Sequence, residues 1–225
     1  MNVEENVKRI RERIANAAVR AGRNPEDIIL VAVTKTVDAA AARKVMEAGV
    51  TTLGENRVQS FLDKYEVLHD EPAWHLIGHL QTNKVKYITG KVSLIHSVDS
   101  LHLAEEISKR ASLLEVTQDI LLQCNISGED SKSGVAPEKA EALLAAVSSL
   151  PALRVCGLMT MAPLGAAESE TRRYFAGLRM LSQRLLEKHY PNAPLTQLSM
   201  GMSGDFEAAI AEGATLIRVG TALFT

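Results

Sequence analysis

IILVAVTK, residues 28–35, is a short continuous apolar run, rich in β-branched side chains, that ends on a lysine. A strand covered on both faces reads this way, because neither face meets water. Upstream, residues 3–21 set Val3, Val7, Ile10, Ile14, Ala17 and Ala18 at helical spacing, and Gly22 ends the pattern. Downstream, the sequence predicts a helix from Asp38 to about Ala48, stopped by Gly49.

The same unit then recurs. Strands are predicted at TTLGE (51–55), WHLIG (74–78), SLIHSV (93–98), DILLQCN (119–125), LRVCGL (153–158), TQLSM (196–200) and TLIRVG (215–220). Helices are predicted at about 57–69, 81–90, 100–113, 137–149, 168–189 and 204–212. With the first strand and its two flanking helices this makes eight strands and eight helices, which alternate as parallel βαβ units do. The expected fold is α/β, a single (β/α)8 TIM barrel over residues 1–225 with an extra N-terminal helix. The chain starts on a helix and ends just after its eighth strand, so the first helix is expected to fill the place of a helix after strand eight. An open doubly wound sheet is the competing arrangement. Against it, no Gly-rich dinucleotide loop follows the first strand.

Composition narrows the function classes. Lys plus Arg is 25 and Asp plus Glu is 27, a net charge of −2 that offers no general attraction to nucleic acid or an anionic membrane. Hydrophobic residues are 46% and aromatic residues 4% of the 225, so a sizeable, mainly aliphatic core is expected. No apolar run reaches the length of a membrane span, and the charged N-terminus lacks the apolar stretch of a signal peptide. Cys124 and Cys156 suit neither a disulfide framework nor a zinc motif. These features predict a cytoplasmic, reduced, soluble protein. No amphipathic stripe is left over from barrel packing, so a monomer is expected.

Lys35 stands at the C-terminal mouth of the first strand. Desolvation there would disfavour the ammonium, and a neutral amine attacks carbonyls to form Schiff bases. Alternatively, the side chain snorkels to solvent. Arg218 interrupts the apolar final strand ATLIRVGT; in a closed barrel it would approach Lys35, or else pair with an interior acid such as Glu55. MGMSGD (200–205) and VGT (219–221) follow strands seven and eight, where barrels of this class bind phosphate. Ser203, Gly204, Gly220 and Thr221 would supply hydroxyls and close backbone amides; the other reading is an N-cap by Ser203 and a tight turn at Gly220. A lysine, an arginine and a phosphate cradle on one face suit a phosphorylated aldehyde.

Asn56, in GEN (54–56), either bonds a ligand oxygen or caps the next helix. His75 and His79 fall on a strand and its following turn, with no acid to complete a metal site, although His79 could line a pocket. HSVDSLH (96–102) holds Ser, His and Asp, but triads assemble in space and not from one short run. GMSGD is not a G-x-S-x-G elbow, and no tyrosine stands at a strand mouth. SGEDSKSG (127–134) and PLGAAESE (163–170) read as loops on the strand C-terminal face.

The chain resembles the pyridoxal phosphate homeostasis proteins of the YggS/PROSC type. The likeness is carried by AVTKT around Lys35, GENRVQ (54–59), WHLIGHLQTNK (74–84), IHSVDS (95–100), SGEDSKSG, GLMTMAP (157–163), LSMGMSGDFEAAI (198–210) and IRVGTALF (217–224). It implies a barrel similar to that of bacterial alanine racemase, with pyridoxal 5′-phosphate (PLP) as a Schiff base on Lys35. It implies further that Ser203, Gly204, Gly220 and Thr221 hold the phosphate, that Arg218 faces the pyridine nitrogen, and that Asn56 lies near the ring; His79, at its strand end, is expected to line the same cofactor pocket. Family members often carry two acids where this chain has Gly204 and Asp205; a glycine leaves a backbone phosphate site intact.

An arginine cannot accept the pyridinium proton, so the ring is a weaker electron sink than beside a carboxylate. Racemisation also needs acid and base on opposite faces of the substrate carbon. Racemases of this fold draw the second group from an added β domain and a partner subunit, whereas only TALFT (221–225) follows strand eight here. The resemblance thus implies a PLP carrier or regulator acting on amino-acid and keto-acid balance, with PLP-dependent apo-enzymes as partners and little catalysis. The alternatives are a small PLP-dependent racemase, a Schiff-base aldolase acting on a phosphorylated sugar, and a scaffold protein.

Overall fold

The computed structural model describes residues 2–129 and 133–225. The barrel opens with helix α1 (Val3–Arg20), strand β1 (Ile29–Val33), α2 (Ala39–Glu47), β2 (Thr52–Glu55), α3 (Val58–Leu68) and β3 (Ala73–Leu76). It continues through α4 (Val85–Ile88), β4 (Leu94–Val98), α5 (Leu101–Leu113), β5 (Gln118–Gln123), α6 (Ala140–Ser148) and β6 (Leu153–Met159). The last elements are α7 (Glu168–Leu186), β7 (Gln197–Met202), α8 (Phe206–Ala211), β8 (Leu216–Val219) and α9 (Thr221–Phe224).

Strands β1 to β8 form a closed barrel in sequence order. Closure is made by parallel pairing of β8 with β1, which sets Arg218 beside Val31 and Val219 beside Ala32. The expected strands are all present, because they are enclosed by a layer of helices and so are largely apolar. The helical stretch at 81–90 is shorter than expected: Thr82–Lys84 form a 3₁₀ turn and α4 is a single turn. Its polar start carries no side-chain cap, and Thr89 turns its hydroxyl back onto the Val85 carbonyl. Helix α9, at the C-terminus, is an element the sequence pattern did not signal.

Helix α1 is seated where the sequence reading put it. Its Asn6 side chain donates to the main-chain carbonyls of Leu223 (3.1 Å) and Thr225 (3.3 Å), tying it to α9. Arg13 bonds Glu207 at 2.7 Å and lies over the Phe206 ring, tying α1 to α8. Val31, Leu94, Leu121, Cys156, Met159 and Leu216 cluster inside the barrel, while a larger aliphatic layer fills the space between sheet and helices. The few aromatics concentrate in that outer layer: Trp74, Phe61, Phe175 and Phe206 are fully buried. No helix among the described residues is long and apolar enough to cross a membrane.

Strand β6 carries a bulge. Ile120 on β5 pairs with Val155, but Leu121 pairs with Gly157, so Cys156 is the extra residue. At Gly157 the neighbouring strand passes so close that a Cβ would overlap the Gln197 carbonyl oxygen. Main chain of a central strand cannot retreat as a side chain would. Gly157→Ala is therefore expected to destabilise the barrel by about 3 kcal/mol, read as a lowered urea midpoint; an unchanged midpoint would mean that the bulge absorbs the methyl group.

Candidate functional site

The site residues gather where the strands end. Strand β1 stops at Val33, and the chain turns at Thr34, whose N–H donates to the Gly54 carbonyl (3.0 Å) and whose carbonyl accepts from Val37 N–H (3.1 Å). Lys35 sits on this turn with its side chain exposed. That corrects the expected desolvation: Lys35 stands beyond the end of β1, at the open mouth of the barrel, where solvent reaches it.

Arg218 is the opposite case. It is buried, 4% exposed, on the inner face of β8. Burial pulls its pKa down to about 10, with the nearby Asp205 carboxylate opposing the fall, so it stays cationic at neutral pH. The expected alternative partner, Glu55, points away from the barrel axis and is paired elsewhere. Arg218 instead donates through Nη1 to Ser199 Oγ and through Nη2 to the Thr160 carbonyl at 3.0 Å.

Behind Arg218 runs a buried polar chain. Ser199 Oγ lies 2.8 Å from His96 Nδ1, and His96 Nε2 lies 3.0 Å from His75 Nδ1. A guanidinium can only donate, so Ser199 accepts from it. The arrangement that leaves no buried donor idle then has Ser199 donating to His96 and His96 donating to His75. Both imidazoles are held neutral. Burial lowers His75 to about 4 and lowers His96 well below its ordinary value, with His75 and Arg218 adding to the effect on His96. His75 is thus an interior residue of the barrel, bonded to His96, and stands apart from the exposed His79.

The two glycine-containing turns meet. Ser203 Oγ accepts the Gly220 N–H at 3.4 Å, so Ser203 joins the loops after β7 and β8 and does not cap α8. Asp205 closes the first loop by accepting the Met202 N–H at 2.5 Å. Burial raises its carboxyl pKa, while that hydrogen bond and Arg218 hold it down. Helix α8 is only six residues long, so the cradle rests on turn amides and hydroxyls more than on a helix dipole. Gly220 packs on Val33, where a Cβ would come within 3.2 Å of the carbonyl oxygen; Gly204 faces open space. Thr221 begins α9 beside them and is exposed.

Asn56 is half-buried and does not cap α3, which starts after Arg57 with no side-chain cap. Its main chain presses on Gly78, where any Cβ would collide, so the mouths of β2 and β3 are in direct contact. His79 is exposed and lines a shallow depression with Gln81, Thr82, Asp99 and Ser100. Of the SGEDSKSG loop, Asp130, Ser131 and Lys132 lie outside the described residues.

A family model described as alanine racemase, N-terminal domain, matches residues 2–225. A pyridoxal phosphate homeostasis protein of Aquifex aeolicus is 48% identical over 225 residues, covering 100% of this chain and 98% of the relative. The chain belongs to the pyridoxal phosphate homeostasis protein family. Among solved structures, PipY of Synechococcus elongatus PCC7942 with PLP bound is 40% identical, with a TM-score of 0.84 over 96% of this chain and 100% of that one. Alanine racemase of Clostridium difficile 630, in complex with cycloserine, shares the fold at a TM-score of 0.76 and 17% identity; the likeness covers 99% of this chain and 59% of the racemase.

In this member of the pyridoxal phosphate homeostasis family, sequence reasoning missed His96, Ser199 and Thr160 around Arg218, and Asp205 in the turn. One signal was available. His96, Ser199 and Arg218 are each a polar residue inside an apolar strand, and such residues need partners when buried. Which partner each one takes depends on barrel register.

Proposed function

We propose that this chain binds PLP at the C-terminal mouth of the barrel, as a Schiff base on Lys35, and serves in cytoplasmic PLP homeostasis without robust catalysis of its own. The observation that carries the reading is the convergence produced by barrel closure. An exposed primary amine at Lys35, a buried guanidinium at Arg218 and the joined turns at Ser203 and Gly220 lie at adjoining strand ends. The donor set fits the cofactor. When bound, PLP supplies an aldehyde that condenses reversibly with a primary amine.

The residues then have separate tasks. Lys35 presents the amine. Arg218 uses two of its five N–H donors on Ser199 and Thr160, which fix its plane, and it offers a donor to the pyridine nitrogen without taking up its proton. Ser203, Gly204, Gly220 and Thr221 surround the phosphate with hydroxyls and amides, and Gly204 has no side chain to fill the space. Asn56 and His79 stand on the loops after β2 and β3, at the rim. Exposure of Lys35 favours a carrier role, since an amine open to solvent can release its cargo to PLP-dependent apo-enzymes. The homeostasis names of the relatives support this reading over a racemase.

The deciding experiment is borohydride reduction of the protein loaded with PLP, followed by peptide mapping. A phosphopyridoxyl group on Lys35 with loss of the visible imine band is expected; no adduct at Lys35 would overturn the reading. Amino acids incubated with the loaded protein in deuterium oxide are expected to exchange at Cα no faster than with free PLP. Faster exchange that depends on Lys35 would make the chain an enzyme.

A further inference from the structure

Beside the mouth, but outside the barrel wall, lies a buried ion pair that the cofactor site does not use. Glu55 is the last residue of β2 and is 0% exposed; Lys64, on α3, is 5% exposed. Their charged atoms are 2.9 Å apart. The same carboxylate accepts from Thr34 Oγ1 at 2.5 Å and from Ser60 Oγ at 2.9 Å, and Lys64 also donates to Ser60 at 3.0 Å. Burying two charges in the aliphatic layer between sheet and helix is expensive, and apolar residues of similar size would commonly serve stability as well. What such a pair provides is a direction. Here it is passed to one residue of the β1 turn, Thr34.

Thr34 is fully buried and fixed at three points: its N–H to Gly54, its carbonyl to Val37 and its hydroxyl to Glu55. The next residue is Lys35, whose own side chain is exposed. The direction in which the amine leaves the turn is therefore set by Thr34. Of the three ties, only the hydroxyl reaches a side chain, and that side chain is locked by Lys64.

We propose that the Glu55–Lys64 pair, acting through the Thr34 hydroxyl, is a positioning clamp for Lys35, which sets how readily this lysine and not another reacts with PLP. The proposal rests on the reading of Lys35 as the cofactor lysine. Its test compares the full chain with Thr34→Val, which keeps the shape and removes the hydroxyl, and with Thr34→Ser, which keeps the hydroxyl. Each is mixed with PLP, quenched with borohydride over time and mapped by peptide mass, and the cofactor-free forms are unfolded by heat.

Thr34→Val is expected to slow labelling of Lys35 at least tenfold and to lower its share relative to other lysines, with the unfolding temperature little changed. Thr34→Ser is expected to stay within about twofold of the parent. A Glu55→Leu, Lys64→Met double variant leaves no unpaired charge and is expected to label as slowly as Thr34→Val. It carries the test should Thr34→Val fold poorly. A Lys35 that labels at the parental rate in a folded Thr34→Val or double variant overturns the clamp. A parent that never labels at Lys35 overturns the functional reading, and the clamp with it.

Discussion

Lys35→Ala is expected to lose the borohydride-reducible PLP adduct of the β1 turn, and the imine band with it, while unfolding at nearly the same temperature as the parent. The loss at this site is complete because no other amine stands on the β1 turn, and a Schiff base needs a primary amine; other lysines keep only their slower labelling. The unfolding temperature holds because Lys35 is exposed, and exposed substitutions away from special features change stability by no more than about 0.5 kcal/mol. Weaker, non-covalent retention through Arg218 and the Ser203–Gly220 turns is expected to remain. Equilibrium dialysis against PLP and the visible spectrum before and after reduction separate the two modes. An imine band of parental intensity in Lys35→Ala would move the anchor to another lysine.

Acid is expected to unfold the barrel through its interior histidines. In the unfolded chain His75 and His96 take up protons near the ordinary value of 6.5, whereas in the fold His75 resists down to about 4 and His96 is also held well below its ordinary value. Between these limits the unfolded state binds more protons, so stability falls as pH drops below about 6.5. The slope approaches about 1.4 kcal/mol per pH unit for each histidine, and His75 alone removes roughly 3 kcal/mol by pH 4. Asp205 works the other way: its raised carboxyl takes up a proton earlier in the fold and offsets part of the loss at the acid end.

Urea midpoints at pH 7, 6, 5 and 4.5 measure the slope, and His75→Gln should flatten it by about one proton. A midpoint that stays level from pH 7 to 5 would mean that the buried histidines can ionise in place. The same chain of side chains holds Arg218. Protonating it would set a second cation beside the guanidinium, so loss of PLP is expected to accompany the loss of stability.

The strand order was legible because a parallel strand enclosed by helices is largely apolar, and short, mostly apolar segments like IILVAVT recur through the chain. Helix α1 was legible by its spacing, and its seat followed from counting strands. Polar residues inside those runs, Arg218 above all, stood out as anomalies that burial would force into partnerships. The partners were not legible. Ser199, His96 and His75 lie on three different strands, and Thr160 follows a fourth, so they meet Arg218 only at one barrel register. Glu55 illustrates the same point. In the barrel it lies on the outer face of β2, toward Lys64 of α3, and alternation along a strand does not by itself say which of its faces is the outer one.

Lys35 marks the boundary between the two kinds of knowledge. Its place at the end of the first strand was plain from the apolar run that precedes it. Its exposure follows from where β1 ends: Thr34 is still buried and tied to Gly54, Val37 and Glu55, and the next side chain stands in solvent at the mouth. By itself, then, the sequence determined the elements, their order and the residue types at the strand ends, because these follow from local burial patterns. The tertiary structure alone decided which charges pair, which histidines stay neutral and which way the lysine faces, because those depend on distances between residues far apart in the chain.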